Sequence, residues 1–195
     1  MVPRKKGRDM SKVKIGTRVF TYPMPTVLVG AMVEGKPNFM AIAWIMPTNA
    51  RPPMLAVAIG PNKHTMKGIE AHGVFSVNVP SVQHVIETDY CGIVSGRKTD
   101  KSTVFRTFTG VLEHAPLIEE CPLCIECRVI QKVALPTNTL CIGEVVESWC
   151  EESVLTDGIP DVGKMRPFAL TMPDNRYWSV GEVVGHAWRD GLKRS

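Results

Sequence analysis

The chain has 195 residues, 44% of them hydrophobic, with 23 Lys and Arg against 19 Asp and Glu for a formal charge of +4. That composition supports one domain with a substantial core and excludes a low-hydrophobicity disordered chain, and no apolar run approaches the roughly 18 residues of a membrane-spanning helix. The excess charge sits at the ends, in "VPRKKGR" and "LKRS", runs too short and too poor in aromatics to argue for a nucleic-acid or membrane partner.

Residues 1–12 read as a basic, flexible N-terminal tail, with Met10 as a second candidate start, and residues 13–195 as a single domain. The opening "MVPRKKGRDMSK" has no apolar segment of the signal-peptide kind, so a soluble cytoplasmic protein is expected. Four short β-rich runs follow at close spacing: residues 26–32, 38–45, 54–60 and 74–79. Gly35 in "VEGKPN" marks a tight turn, which makes the first two runs a hairpin. The second and third runs lack polar alternation, so both of their faces are expected to be covered, one by the barrel interior and the other by a helix, a ligand or a second subunit.

Between the second and third runs the chain turns polar and stiff in "PTNARPP". A plain reversal needs only Asn-Gly or Asp-Gly, so this segment is read as a loop that holds a ligand. Residues 62–73 predict a short helix with Asn62 or Thr65 as N-cap and Gly73 as terminator. Residues 81–96 predict a second, with Val82, Val85 and Ile86 on one face. Strands are expected again in "FRTFTGVLE", "LCIECRVIQKV" and "TLCIGEVVESWC", and the last third reads as an extended surface arm rich in Gly and Pro. The sum is a mostly β, antiparallel barrel of six or more strands with a few short peripheral helices.

"CPLCIEC" begins like an iron–sulfur run but lacks its fourth cysteine and proline. If residues 121–127 form a strand, Cys124 points away from Cys121 and Cys127, so buried or half-buried strand thiols are expected and no metal site. The five histidines show no i, i+4 ligand pair, and Walker, G-x-S-x-G and H-E-x-x-H motifs are absent. One constellation stands out: "PNKHT" sets Lys63, His64 and Thr65 at a predicted helix start, where free N–H groups and the helix dipole favour an anion. It reads either as a phosphate seat or as an ordinary cap in a solvated loop. The "PTNARPP" loop lies about 20 Å away along a straight strand, which an elongated ligand with a phosphate at one end would span.

The stretch from "PMPTVLVGAM" through "NFMAIAWIMPTNARPP" and "GPNKHTMKGI" to "NVPS" resembles the flavin reductase-like FMN-binding split-barrel family, nearest its flavoredoxin branch. "SGRKTDK", "CRVIQKV", "IGEVVES" and "YWSVGEVVGHAWRDG" continue the likeness over about residues 20–191. The resemblance implies a split β-barrel and a non-covalent FMN whose phosphate is held by Lys63, His64 and Thr65. Residues 38–44, among them Asn38, Met40, Ala41, Ala43 and Trp44, would wall the ring and ribityl together with Thr48, Asn49 and Ala50. Met40 and Trp44 are read either as the ring's stacking face or as core, Arg51 as a ligand contact or a surface residue, and Lys101 as reaching the phosphate or bracing its loop. A homodimer is implied, and a flavin reductase or electron carrier moving electrons through FMN, with NAD(P)H or a ferredoxin-like protein as donor. Asn138 stands where many relatives carry a His ahead of "IGEV", and an amide takes up no proton near neutrality, which leaves the protein donor in contention. From the residues alone, a non-enzymatic β-barrel binding module, for instance for single-stranded nucleic acid, remains the alternative.

Overall fold

The computed structural model describes residues 12–19 and 21–194; all but Lys12 of the expected basic tail lies outside the described residues. Seven antiparallel strands carry the fold: β1 (Val27–Val33), β2 (Lys36–Ile42), β3 (Ile45–Ala50), β4 (Pro53–Ile59), β5 (Val74–Val79), β6 (Leu123–Ala134) and β7 (Thr139–Cys150). Their order in the sheet is β2-β1-β5-β6-β7-β4-β3. Since β2 and β3 are the two ends of that order yet are joined only by Ala43 and Trp44, the sheet must curl back on itself, and it forms a split barrel. The first hairpin turns at Glu34–Gly35, both at positive φ, as the glycine there requires.

The second run is covered on both sides over Phe39–Ile42, whereas the outer face of the third, at Ala56 and Ala58, lines an open groove. Met40 and Ile42 of β2, with Val29, Val57, Ile59, Phe75 and Cys127, fill the barrel. Phe39 points the other way, into an outer cluster with Leu28, Cys91, Phe105 and Cys124. Helix α1 (His64–His72) closes the barrel by burying Met66 and Ile69, and it lies so close to β1 that a Cβ at Gly68 would stand 2.3 Å from the Met32 carbonyl oxygen. Because that obstacle is backbone, Gly68→Ala is expected to cost about 1–3 kcal/mol, read as a lowered midpoint in urea unfolding.

Several boundaries differ from the sequence reading. The run at 38–45 ends at Ile42, and the supposed loop at 47–53 is mostly strand: Pro47, Asn49 and Ala50 pair with Leu55, Met54 and Pro53, with a register shift at Thr48. Pro47 is tolerated because β3 is an edge strand. The N-cap of α1 is Lys63, with no side-chain cap, while Gly73 ends the helix as expected. Helix α2 (Val85–Ile93) follows a 3-10 turn capped by Ser81; it buries Thr88 and Cys91 and leaves Ile86 81% exposed, so the face predicted from Val82, Val85 and Ile86 is not its buried one.

The strand expected over 105–113 shrinks to Thr107–Phe108. Its next amides, at Val111 and Leu112, donate instead to the carboxylate of Glu126, at 3.0 and 2.6 Å. The cysteines divide differently from the reading, since Cys121 precedes β6 and joins Cys124 in the outer cluster while Cys127 faces the barrel. Burial pushes the thiols of Cys124 and Cys127 up to about 12, which keeps them protonated and inert as ligands or nucleophiles. Within the last third, Phe168–Thr171 and Arg176–Ser179 form a small sheet with Met24–Pro25, and residues 178–189 are exposed throughout.

Candidate functional site

The uncapped start of α1, the first half of β2 and the loop after α2 enclose a two-lobed cleft with cavity volumes of about 310 and 90 Å³. Asn38, His64, Gly96 and Lys101 belong to both lobes. Thr65 is buried and accepts a 2.7 Å hydrogen bond from Asn38 Nδ2, which ties β2 to the first turn of the helix. The loop is pulled in equally tightly, for a Cβ on Gly96 would stand 2.2 Å from Asn38 Oδ1 and 2.8 Å from His64 Cδ2. Only glycine allows that approach. Farther out, Lys36 Nζ bonds Asp100 Oδ2 at 2.6 Å and clips the loop to β2, holding the Asp100 carboxyl well below the usual range.

Lys101 decides what the cleft can bind. Its side chain is 4% exposed, and Nζ donates to the carbonyls of Phe39 (2.6 Å) and Cys91 (3.1 Å). No carboxylate pairs with it among the described residues, and burial pushes its pKa below the ordinary lysine value. An ammonium has three donors, so a third remains at the wall of the cleft. His64 adds a buried Nδ1 with no partner, its pKa lowered by burial first and by Lys67 next. With Lys63 and Arg97 also lining the cleft, cations and free helix amides converge on one place, as an anion site requires.

The structure thus brings together Asn38, Met40, Lys63, His64, Thr65 and Lys101. Ala41 lies just outside, beside Gly92 of α2. Ala43 and Trp44 line a separate, apolar outer groove, with Trp44 45% exposed and therefore not core. The Trp44 carbonyl accepts from Ala58 N at 2.9 Å, and Lys63 N donates to Gly60 O at 3.0 Å, so the β2–β3 link lies near the chain that leads into α1. Thr48, Asn49, Ala50 and Arg51 are a different matter. They are exposed at the opposite end of β4 from Lys63, and Asn49 Nδ2 bonds Pro52 O at 2.7 Å, steadying its own hairpin. Thr48, Asn49 and Ala50, expected to wall the ring and ribityl, and Arg51, read as a ligand contact or a surface residue, lie outside the cleft of their own chain, because the segment continues as paired strand instead of folding back. Sequence reasoning missed Gly96, Arg97 and Lys36 as cleft residues; for Gly96 and Arg97 the only signal was the "SGRKTDK" likeness, since their approach to β2 is made by the fold, and for Lys36 there was none.

The flavin reductase like domain matches residues 19–176, most of the chain. The chain belongs to the flavin reductase-like family. Within it the chain falls in the flavoredoxin branch: the crystal structure of flavoredoxin from Methanosarcina acetivorans is 49% identical with a TM-score of 0.92, covering 94% of this chain and 98% of that one. Flavoredoxin of Desulfovibrio vulgaris (Miyazaki F) is 34% identical with a TM-score of 0.87, covering 93% and 100%. A protein of Archaeoglobus fulgidus is 32% identical over 145 residues, 73% of this chain and 81% of its own length. The two-lobed cleft is therefore a feature of a flavin reductase-like split barrel, and among the described residues no helix is long and apolar enough to cross a membrane.

Proposed function

We propose that this flavin reductase-like protein binds FMN non-covalently and carries electrons through it. The observation that carries the reading is the Lys101 ammonium, buried without a carboxylate beside the orphaned His64 Nδ1 and the uncapped start of α1. These groups fit a phosphate, which satisfies them together. Lys63, His64, Thr65 and Lys101 would hold that end, with Asn38 fixing Thr65, and Met40, Ala41, Ala43 and Trp44 would wall the ring farther along the chain. When bound, the flavin supplies the redox chemistry; the protein supplies binding, orientation and a shielded wall, with no thiolate or metal in the reading.

Addition of FMN to the purified apoprotein is expected to quench the flavin's fluorescence and shift its visible band. A flavin spectrum unchanged by excess protein would refute the reading. An oligonucleotide-induced shift under the same conditions would instead support the nucleic-acid module.

Asn138 bears on the donor. It lies in the β6–β7 turn directly before Thr139, which pairs with Ile59 at the end of β4 that leads to Lys63. Its amide bonds the Thr137 hydroxyl and carries no exchangeable charge. This favours a reduced protein carrier over NAD(P)H. Anaerobic mixing of the FMN-loaded protein with NADH or NADPH is accordingly expected to leave the flavin absorbance unbleached over minutes; rapid bleaching would make it an NAD(P)H-dependent reductase.

A further inference from the structure

The two lobes of the cleft are unequal, about 310 Å³ against 90 Å³, and they follow β2 in order. Lys36 and Pro37, at the start of the strand, line only the larger lobe; Asn38 lines both, and Met40 lines only the smaller. Lys63 and Thr65 of the anion seat belong to the smaller lobe alone. On the FMN reading, on which this step rests, the phosphate falls in the smaller lobe and the ring lies farther along, toward Ala43 and Trp44. The larger lobe therefore opens past the phosphate, at the end away from the ring.

Its charge suits a second anion. The lining sets Lys36, Arg97, Lys98 and Lys101 against Glu34 and Asp100. Both carboxylates are engaged, Asp100 by Lys36 at 2.6 Å and Glu34 by Lys67 at 3.8 Å. Arg97, Lys98 and Lys101 have no carboxylate partner among the described residues. A single phosphoryl group at the start of α1 meets Lys63 and the free helix amides, and it leaves the cations across the waist unmatched. The segment that carries them is fixed in place, since Lys98 N and Thr99 N donate to Ser95 O at 3.0 and 3.1 Å and Gly96 is pressed against Asn38 and His64. Lys101, 4% exposed, lines both lobes, so its buried ammonium lies where two linked phosphoryl groups would share it.

We propose that the larger lobe is a second phosphoryl subsite, and that the cleft takes a diphosphate carrying a nucleoside at its outer end, the chemistry of a flavin dinucleotide as well as of FMN. Arg97 and Lys98 act on the outer phosphoryl group, Lys63 and Thr65 on the inner one, and Lys101 on both. The nucleoside leaves through the open side of the lobe, past exposed Lys98 and Thr99.

Isothermal titration calorimetry of the full chain, freed of flavin, with FMN, FAD, inorganic phosphate and inorganic pyrophosphate tests this. Pyrophosphate is expected to bind at least about 10-fold more tightly than phosphate, and FAD no more weakly than FMN. Lys98→Glu changes an exposed side chain of the larger lobe only. It is expected to weaken FAD and pyrophosphate by about 10-fold or more while FMN changes by less than about threefold and the melting curve stays in place. FAD held far more weakly than FMN overturns the proposal, and so does a Lys98→Glu protein that loses both flavins equally or neither. If neither flavin binds, yet pyrophosphate outbinds phosphate and Lys98→Glu abolishes that preference, the subsite stands and only the cofactor reading falls. Titration with ADP then assigns the diphosphate to a free nucleotide.

Discussion

Glu126→Leu is expected to lower the stability of this protein by about 3–5 kcal/mol, the loss found when one side of a buried polar network is removed. The carboxylate is fully buried and accepts three hydrogen bonds, from Val111 N, Leu112 N and the Trp149 indole. Leucine fills much of the volume but accepts nothing, so two amides and an indole N–H lose their partners. Gly110 shows how closely the loop is drawn in, since a Cβ there would stand 2.3 Å from Glu126 Oε2. At about 2–4 °C per kcal/mol for a chain of this size, the melting temperature should fall by roughly 6–20 °C. A change under about 2 °C in differential scanning calorimetry would show that the network is not holding the loop. Glu126→Gln keeps an acceptor and should cost less.

Lys101→Met should weaken FMN binding by roughly 10- to 150-fold, the equivalent of a lost charge-assisted hydrogen bond of about 1.5–3 kcal/mol. Methionine preserves most of the stem's packing and removes the buried charge. Because Nζ also bonds Phe39 O and Cys91 O, some stability is lost as well, and affinity must be read beside melting. Lys63→Ala separates the two effects. Lys63 is exposed at the cleft edge and makes no side-chain hydrogen bond among the described residues, so its removal should lower affinity without moving the melting temperature. Fluorescence titration with FMN reads both variants. Wild-type affinity in Lys101→Met would mean that the ammonium only braces β2 and α2, and the phosphate seat would have to be sought elsewhere.

Lys101 and Glu126 are both charged residues in a fold that gives them opposite assignments. Glu126 is satisfied by three donors of its own chain, which makes it structural. Lys101 has two neutral acceptors and no counter-charge, which leaves its field available to a ligand. Burial alone does not distinguish them; the partner list does.

The sequence by itself determined the β-rich barrel, the first hairpin, the helix ending at Gly73, the two long late strands and the anion-seeking character of "PNKHT". Each of these follows from local chemistry: apolar periodicity, glycine at positive φ, and cations at a helix start. The tertiary structure alone decided that the polar segment after Ile45 is edge strand, because only pairing with β4 makes Pro47 and Asn49 extended. It also decided that Ile86 faces water while Thr88 and Cys91 are buried, that the amides following Phe108 turn to Glu126, and that Gly96 and Lys101 close on Asn38 and His64. Those outcomes depend on which partners the fold brings together, from Pro47 with Leu55 nearby in the chain to Lys101 with Phe39 far along it, and a single sequence carries no record of which donor will meet which acceptor.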